Sequence, residues 1–243
     1  MCEPKREALG NGIHAVAGAA HGFGLDALLL ADFAKPKQNE TACDLGSGCG
    51  ILPLLWCREA AAKHIHAVEL QKEACALLRQ AVQENQLQSR ISVHEADLRD
   101  LRGILPAGQF DLVTMNPPYF AAGSGGVSKT ESAKLARHEA SCTLAEICAA
   151  GTNLLRFGGR LALCCRTERL FELMQAMEAA GAAPKRLRLV AKNTASAPGL
   201  ALVEARRGGK PGLQMENILF VHEADGGYTS EMKRIYGTDG ERP

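Results

Sequence analysis

The chain has 243 residues, 46% apolar and 23% charged, with a formal net charge of +1. That describes one large globular domain or one domain with appendages, and it excludes a global basic field as the means of holding a nucleic acid. Nine cysteines without a C-x-x-C pair argue for a reducing compartment and against a zinc site or disulfide frame, and no long apolar stretch predicts a signal peptide or membrane span.

Residues 1–24 are glycine-rich and predict only a short strand at 13–16. Asp26 reads as the N-cap of an apolar helix over 27–33, which the Lys35-Pro36 step ends. Residues 1–40 thereby form an N-terminal extension with a covering helix, and residues 41–243 the main domain. The stretch from Phe23 to Asp26 reads as part of that cover or as a segment closing over a ligand.

The main domain starts with a strand over Thr41–Leu45 that runs into Asp44-Leu45-Gly46-Ser47-Gly48-Cys49-Gly50, followed by a helix over 51–62. Gly46, Gly48 and Gly50 let the backbone turn tightly and a ligand come close, and the helix start supplies free N–H groups. The next strand, 64–68, ends in Glu69, nineteen residues after Gly50, where a βαβ unit grips a ribose diol. An amphipathic helix over 71–85 and a strand over Ile91–Glu95 follow, with Asp97 just beyond.

Phe110–Met115 reads as a buried strand that stops at Asn116-Pro117-Pro118-Tyr119. Two successive prolines donate nothing to a ladder, and each pushes the residue before it into an extended conformation. A rigid turn thus carries an amide, two carbonyls and an aromatic ring past a strand's carboxyl end, where open α/β sheets bind ligands. Such a set suits a planar amine. The Asn116 side-chain oxygen and the Pro117 carbonyl accept its two N–H bonds, while Tyr119 stacks on the flat group, worth about 1–3 kcal/mol. A structural proline turn with a packed tyrosine is the bland alternative.

The glycine loop alone also fits nicotinamide and flavin enzymes. Its G-x-G-x-G spacing and the preceding Asp44 favour a cationic amino-acid ligand over a pyrophosphate. Asp44, Glu69 and Asp97, each at a strand's end, match the amino acid, ribose and adenine amine of S-adenosylmethionine. Each acid alone also reads as a solvated loop carboxylate, and Asp97 as a helix cap.

In the second half, 121–132 is a Gly/Ser/Lys loop leading to Ala136-Arg137-His138-Glu139 and a helix over 144–155. A Phe157-Gly158-Gly159-Arg160 turn, a strand over 161–165 and a helix over 169–180 come next. Strands at 185–192 and 200–206 pair antiparallel at the sheet's edge, and a short helix through Tyr236 closes the chain.

The combination resembles the class I amino-methyltransferases. The whole chain is similar to one family among them, the tRNA adenine-N6 methyltransferases acting on adenosine 37 of a valine tRNA. The resemblance rests on Asp26-Ala27-Leu28-Leu29-Leu30-Ala31, Asn116 to Phe120, Arg137-His138-Glu139, Gly158-Gly159 and Tyr228-Thr229-Ser230-Glu231 with Ile235-Tyr236. It implies a Rossmann-like, doubly wound, mostly parallel seven-stranded sheet with an antiparallel edge. It also implies a cytosolic, S-adenosylmethionine-dependent enzyme that needs no metal, works as a monomer and methylates N6 of adenine. Asn116, Pro117 and Tyr119 then bind and orient the amine beside Pro118, with Asn116 also facing the cofactor. Lys129, Lys134, Arg137 and His138 are candidate RNA contacts, as are Lys185, Arg186, Arg188, Arg206, Arg207 and Lys210; the bland reading of each is a solvated charge. Two other readings stay open: methylation of a different amine, a glutamine side chain or another nucleic acid, and a silent scaffold that binds cofactor or RNA. Only about forty residues precede the glycine loop, too few for the helical domain expected ahead of a glutamine-directed core.

Overall fold

The computed structural model describes residues 4–18, 22–59, 61–117 and 142–237. Its centre is a nine-stranded sheet in the order β10-β8-β9-β7-β6-β3-β4-β5, with β11 also on β8. The long strands are β3 (Thr41–Leu45), β4 (His64–Glu69), β5 (Ile91–Glu95), β6 (Phe110–Met115), β7 (Leu155–Arg166), β8 (Ala182–Ala191) and β9 (Leu200–Arg207). Those are the seven strands expected. Two-residue strands β10 (Gln214–Met215) and β11 (Leu219–Phe220) extend the edge. From β5 through β7 every pairing is parallel, whereas β9 runs antiparallel to both its neighbours, β7 and β8.

Alternation along the strands builds two cores. Ala42, Ile65, Ala67, Leu112, Ala162 and Cys164 face helices α1 (Leu25–Ala34), α2 (Ile51–Arg58) and α3 (Lys72–Glu84). Cys43, Val68, Val113, Met115, Leu161 and Leu163 face α4 (Leu144–Leu154) and α5 (Leu170–Ala179). A parallel sheet covered on both faces needs near-continuous apolar strands, and these have them. Helix α3 presents Ala74, Cys75, Leu78, Ala81 and Val82, a stripe at helical spacing. Pro53 is tolerated in α2 because it sits in the first turn, where its missing N–H has no intrahelical partner. Thr143 and Glu146 close a capping box at the start of α4. The last helix, α6 (Ser230–Tyr236), packs Met232 and Ile235 into the core that holds α1. No helix among the described residues is long and apolar enough to cross a membrane.

Four expectations need correction. An N-terminal hairpin pairs β1 (Lys5–Gly10) with β2 (Ile13–Ala17), and only the second strand was expected. Polar Lys5-Arg6-Glu7 hid the first, although Asn11 and Gly12, both at positive φ, make the turn such hairpins favour. Glu84 of α3 anchors the hairpin by accepting from Arg6 at 2.7 and 2.9 Å and pairing with His14 at 2.8 Å. Asp26 does not cap α1: Gly24 occupies that position and Asp26 lies in the first turn. Helix α2 ends at Arg58, short of residue 62. Strand β7 begins at Leu155, so the Gly158-Gly159 turn is an irregularity within a twelve-residue strand, with Gly158 at φ +76. A Cβ on Gly159 would come within 2.9 Å of the Phe110 carbonyl, which is why β6 and β7 meet there over a glycine.

Glu204 of β9 is a buried carboxylate that accepts from Arg160 and Arg186, each at 3.0 Å. Arg160 continues to Glu40 at 2.6 Å. Glu204→Ala should therefore cost about 3 kcal/mol of stability, because it strips a mostly buried guanidinium of a partner; urea unfolding of the variant measures it.

Candidate active site at the carboxyl edge of the sheet

Parallel register brings the ends of β5, β4, β3 and β6 to one edge in that order. Asp44 is the penultimate residue of β3 and is 2% exposed. It lies beside Thr114 of β6, whose hydroxyl donates to Asp44 Oδ1 at 2.7 Å. Burial pushes the Asp44 pKa up to about 7; the Thr114 and Ser47 hydroxyls oppose that, and the Glu69 charge adds to it. A buried acid so poised favours a cation as its partner.

The loop after Asp44 holds Gly46, Gly48 and Gly50 at φ +63, +55 and +87, conformations that side chains resist. A Cβ on Gly48 would meet nothing within 4 Å, so the loop is open there. Gly50 caps α2 instead: a Cβ would sit 2.0 Å from Leu78 Cδ1 of α3. Gly50→Ala should cost about 3 kcal/mol through overpacking and backbone strain, read as a lowered Tm.

Glu69 ends β4 and is buried. Its two oxygens accept from the Gly48 and Gln71 backbone N–H groups, both at 2.8 Å. The carboxylate therefore ties the glycine loop to the next strand, and the loop's N–H groups are not all free as expected. Asp97 reaches the same edge already engaged. Arg99 donates to it through the backbone N–H at 2.9 Å and through its guanidinium, which holds its pKa down. Asp97 therefore holds a turn and caps no helix, contrary to the capping alternative, since no helix starts between β5 and β6; room is left on the carboxylate for another donor.

Asn116 follows β6 directly and is half-buried, with Pro117 buried behind it. Asn116 Oδ1 accepts from Cys164 Sγ at 2.8 Å. Pro118, Tyr119, Lys129, Lys134, Arg137 and His138 lie outside the described residues. Thr114, Cys164 and Arg99 were not singled out from the sequence. Only strand register reveals the first two, and only the turn at Asp97 reveals the third.

Most downstream basic candidates do not join this edge. Lys185 and Arg186 lie in the first half of β8, and Arg206 and Arg207 end the antiparallel β9, so all four sit toward the opposite end of the sheet. Arg186 pairs with Glu204 and Glu216 and stacks 4.4 Å over the Phe33 ring. Arg188 pairs with Glu231 at 2.8 Å, Lys185 donates to the Lys210 carbonyl at 3.0 Å, and Arg207 donates to the Leu155 carbonyl. These charges serve the fold.

The described cysteines are free thiols, mostly buried. Burial pushes Cys49, Cys57 and Cys75 up to about 11, and Cys148 and Cys165 up to about 12, so none of these five is a thiolate at neutral pH.

Residues 24–180 match the family model described as the methyltransferase small domain. The tRNA1(Val) (adenine(37)-N6)-methyltransferase of Tolumonas auensis is 29% identical over 209 residues, 86% of this chain and 85% of that protein. The protein of the same name from Aeromonas salmonicida is 30% identical over 152 residues, covering 62% of each chain. Among solved structures, a predicted O-methyltransferase from Agrobacterium tumefaciens superposes with a TM-score of 0.68 at 22% identity, over 88% of this chain and 96% of that one.

Proposed function

Because the chain belongs to the methyltransferase small-domain family, we propose that it transfers a methyl group from S-adenosylmethionine to N6 of an adenine in tRNA, adenosine 37 of a valine tRNA. The relatives of that name support the acceptor. The observation that carries the chemistry is the place of Asn116: its carboxamide follows β6 directly, next to β3, the strand that carries the buried Asp44. It does its work in the cytosol as a monomer, with residues 1–40 covering the domain that follows.

The residues at the edge fit the donor. Asp44, buried and reluctant to ionise alone, suits the ammonium of its amino-acid end. Glu69 suits the ribose hydroxyls, and Asp97 shares its carboxylate between Arg99 and the adenine amine. Gly46 and Gly48 let the backbone approach, and Gly50 sets the start of α2. When bound, S-adenosylmethionine supplies an electrophilic methyl group on a sulfonium.

The chain's own residues do the rest. Adenosine 37 adjoins the anticodon and leaves its stack at a cost of a few kcal/mol. Tyr119 receives the face of the base, with Pro118 as a further substrate contact. The Asn116 oxygen and the Pro117 carbonyl accept from N6–H, aiming the nitrogen for in-line attack, and much of the acceleration comes from that positioning. The N6 proton leaves to water once the new bond has formed. Lys129, Lys134, Arg137 and His138 contact the RNA backbone.

The test is transfer of a radiolabelled methyl group to bulk tRNA followed by nucleoside analysis. The expected product is N6-methyladenosine, lost when adenosine 37 of the valine tRNA is replaced. Label on a protein glutamine, on another nucleoside, or nowhere overturns the reading.

A further inference from the structure

We propose that Cys164 is a positioning residue that fixes the Asn116 carboxamide with its oxygen available to the target amine, through the thiol–carboxamide bond between β7 and β6. The inference rests on the reading of Asn116 as the amine acceptor. Its geometric basis is the β6–β7 register, which pairs Met115 with Leu163 and so brings the next residues, Asn116 and Cys164, side by side. Cys164 belongs to the core facing α1, α2 and α3 and is 0% exposed. Its Sγ lies 2.8 Å from Asn116 Oδ1.

A carboxamide has a nearly two-fold torsion, so a half-turn exchanges oxygen for nitrogen at small intrinsic cost. For accepting an N–H the two orientations are opposites: one presents lone pairs, the other presents donors to a donor. A thiol beside the group breaks the symmetry, because S–H donates to the oxygen while sulfur is a poor acceptor for the amide nitrogen. One lone pair of Oδ1 takes the thiol proton, and the second remains for the amine. Cys164 is enclosed by the core, so it acts through Asn116 and not on the substrate. The adjacent thiol supplies a control: Cys165 is almost equally buried, at 4% exposed, but belongs to the core on the opposite face.

The measurements are kcat, KM for tRNA, affinity for S-adenosylhomocysteine, and Tm, on Cys164→Ala, Cys164→Ser, Cys165→Ala and Asn116→Ala. Cys164→Ala should lower kcat by about tenfold, the effect of one hydrogen bond to a catalytic group. KM and S-adenosylhomocysteine affinity should stay within about twofold of the parent. Cys164→Ser restores a donor and should recover most of kcat, and Cys165→Ala should leave kcat unchanged. Full kcat in Cys164→Ala overturns the proposal. So does an equal loss in the alanine and serine variants, or a loss that tracks Tm and cofactor affinity as it would for mere packing. Full turnover in Asn116→Ala sinks the reading of Asn116 itself. A silent Asn116→Ala beside a fully active Cys164→Ala sinks only the role of the thiol.

Discussion

Asn116→Ala should lower kcat by about 100- to 1,000-fold, the range seen when one preorganised polar group at a reacting centre is removed. The affinity for S-adenosylhomocysteine should change by less than about threefold, because the proposed cofactor contacts, Asp44, Glu69 and the glycine loop, stay untouched. The physical reason is that an exocyclic amine has its lone pair delocalised into the ring. Two acceptors must hold its protons for the nitrogen to point at an electrophile, and Asn116 and the Pro117 carbonyl are the pair proposed for it. Alanine keeps the Pro117 carbonyl and the buried strand, so the fold has no cause to change. Single-turnover methyl transfer with saturating tRNA isolates the step. Wild-type turnover in the variant would remove Asn116 from the chemistry.

Cofactor binding should depend on pH through Asp44. Burial raises its pKa in the free protein to about 7, against about 3.9 in an unfolded chain. Only the ionised form attracts an ammonium, so below pH 7 binding must release a proton. Affinity for S-adenosylhomocysteine should fall about tenfold per pH unit below that point and level off above it. Asp44→Asn should abolish the slope and lower affinity at pH 8 by about 10- to 100-fold, the worth of a charge-assisted hydrogen bond. Stability moves the other way. A carboxyl with a raised folded pKa favours folding below pH 4, and that contribution is lost as pH rises toward 7. Without cofactor at pH 8, Asp44→Asn should therefore melt higher than the parent. Titration calorimetry in buffers of different ionisation heats measures the released proton directly; an affinity flat from pH 5.5 to 8 would mean that Asp44 is not the ammonium's partner.

Much of the scaffold was legible because the chain marks it locally. Apolar runs such as Thr41–Leu45 and Phe110–Met115 end in glycine or proline, and helix α3 carries its stripe at the proper period. The N-terminal β1 was not legible, since its residues are polar and its partner strand supplies the buried side. For Arg186 and Arg188 of β8 the sequence shows charge but not the acids lying across from them. Glu204, eighteen residues from Arg186, neutralises it only once the strands pair antiparallel.

The sequence by itself determined the order of the long strands and helices from β3 to β9, the three acids near strand ends, and the stop of β6 at Asn116-Pro117. These follow from period, propensity and turn chemistry, all properties of neighbours along the chain. Only the tertiary structure decided that β9 enters between β7 and β8, that Thr114 restrains Asp44, that Arg99 already holds Asp97, and that Cys164 touches Asn116. Each of these is a contact made by strand register or by the path of a turn. A shift of one residue would turn the side chains concerned to the other face, so no local pattern could have announced them.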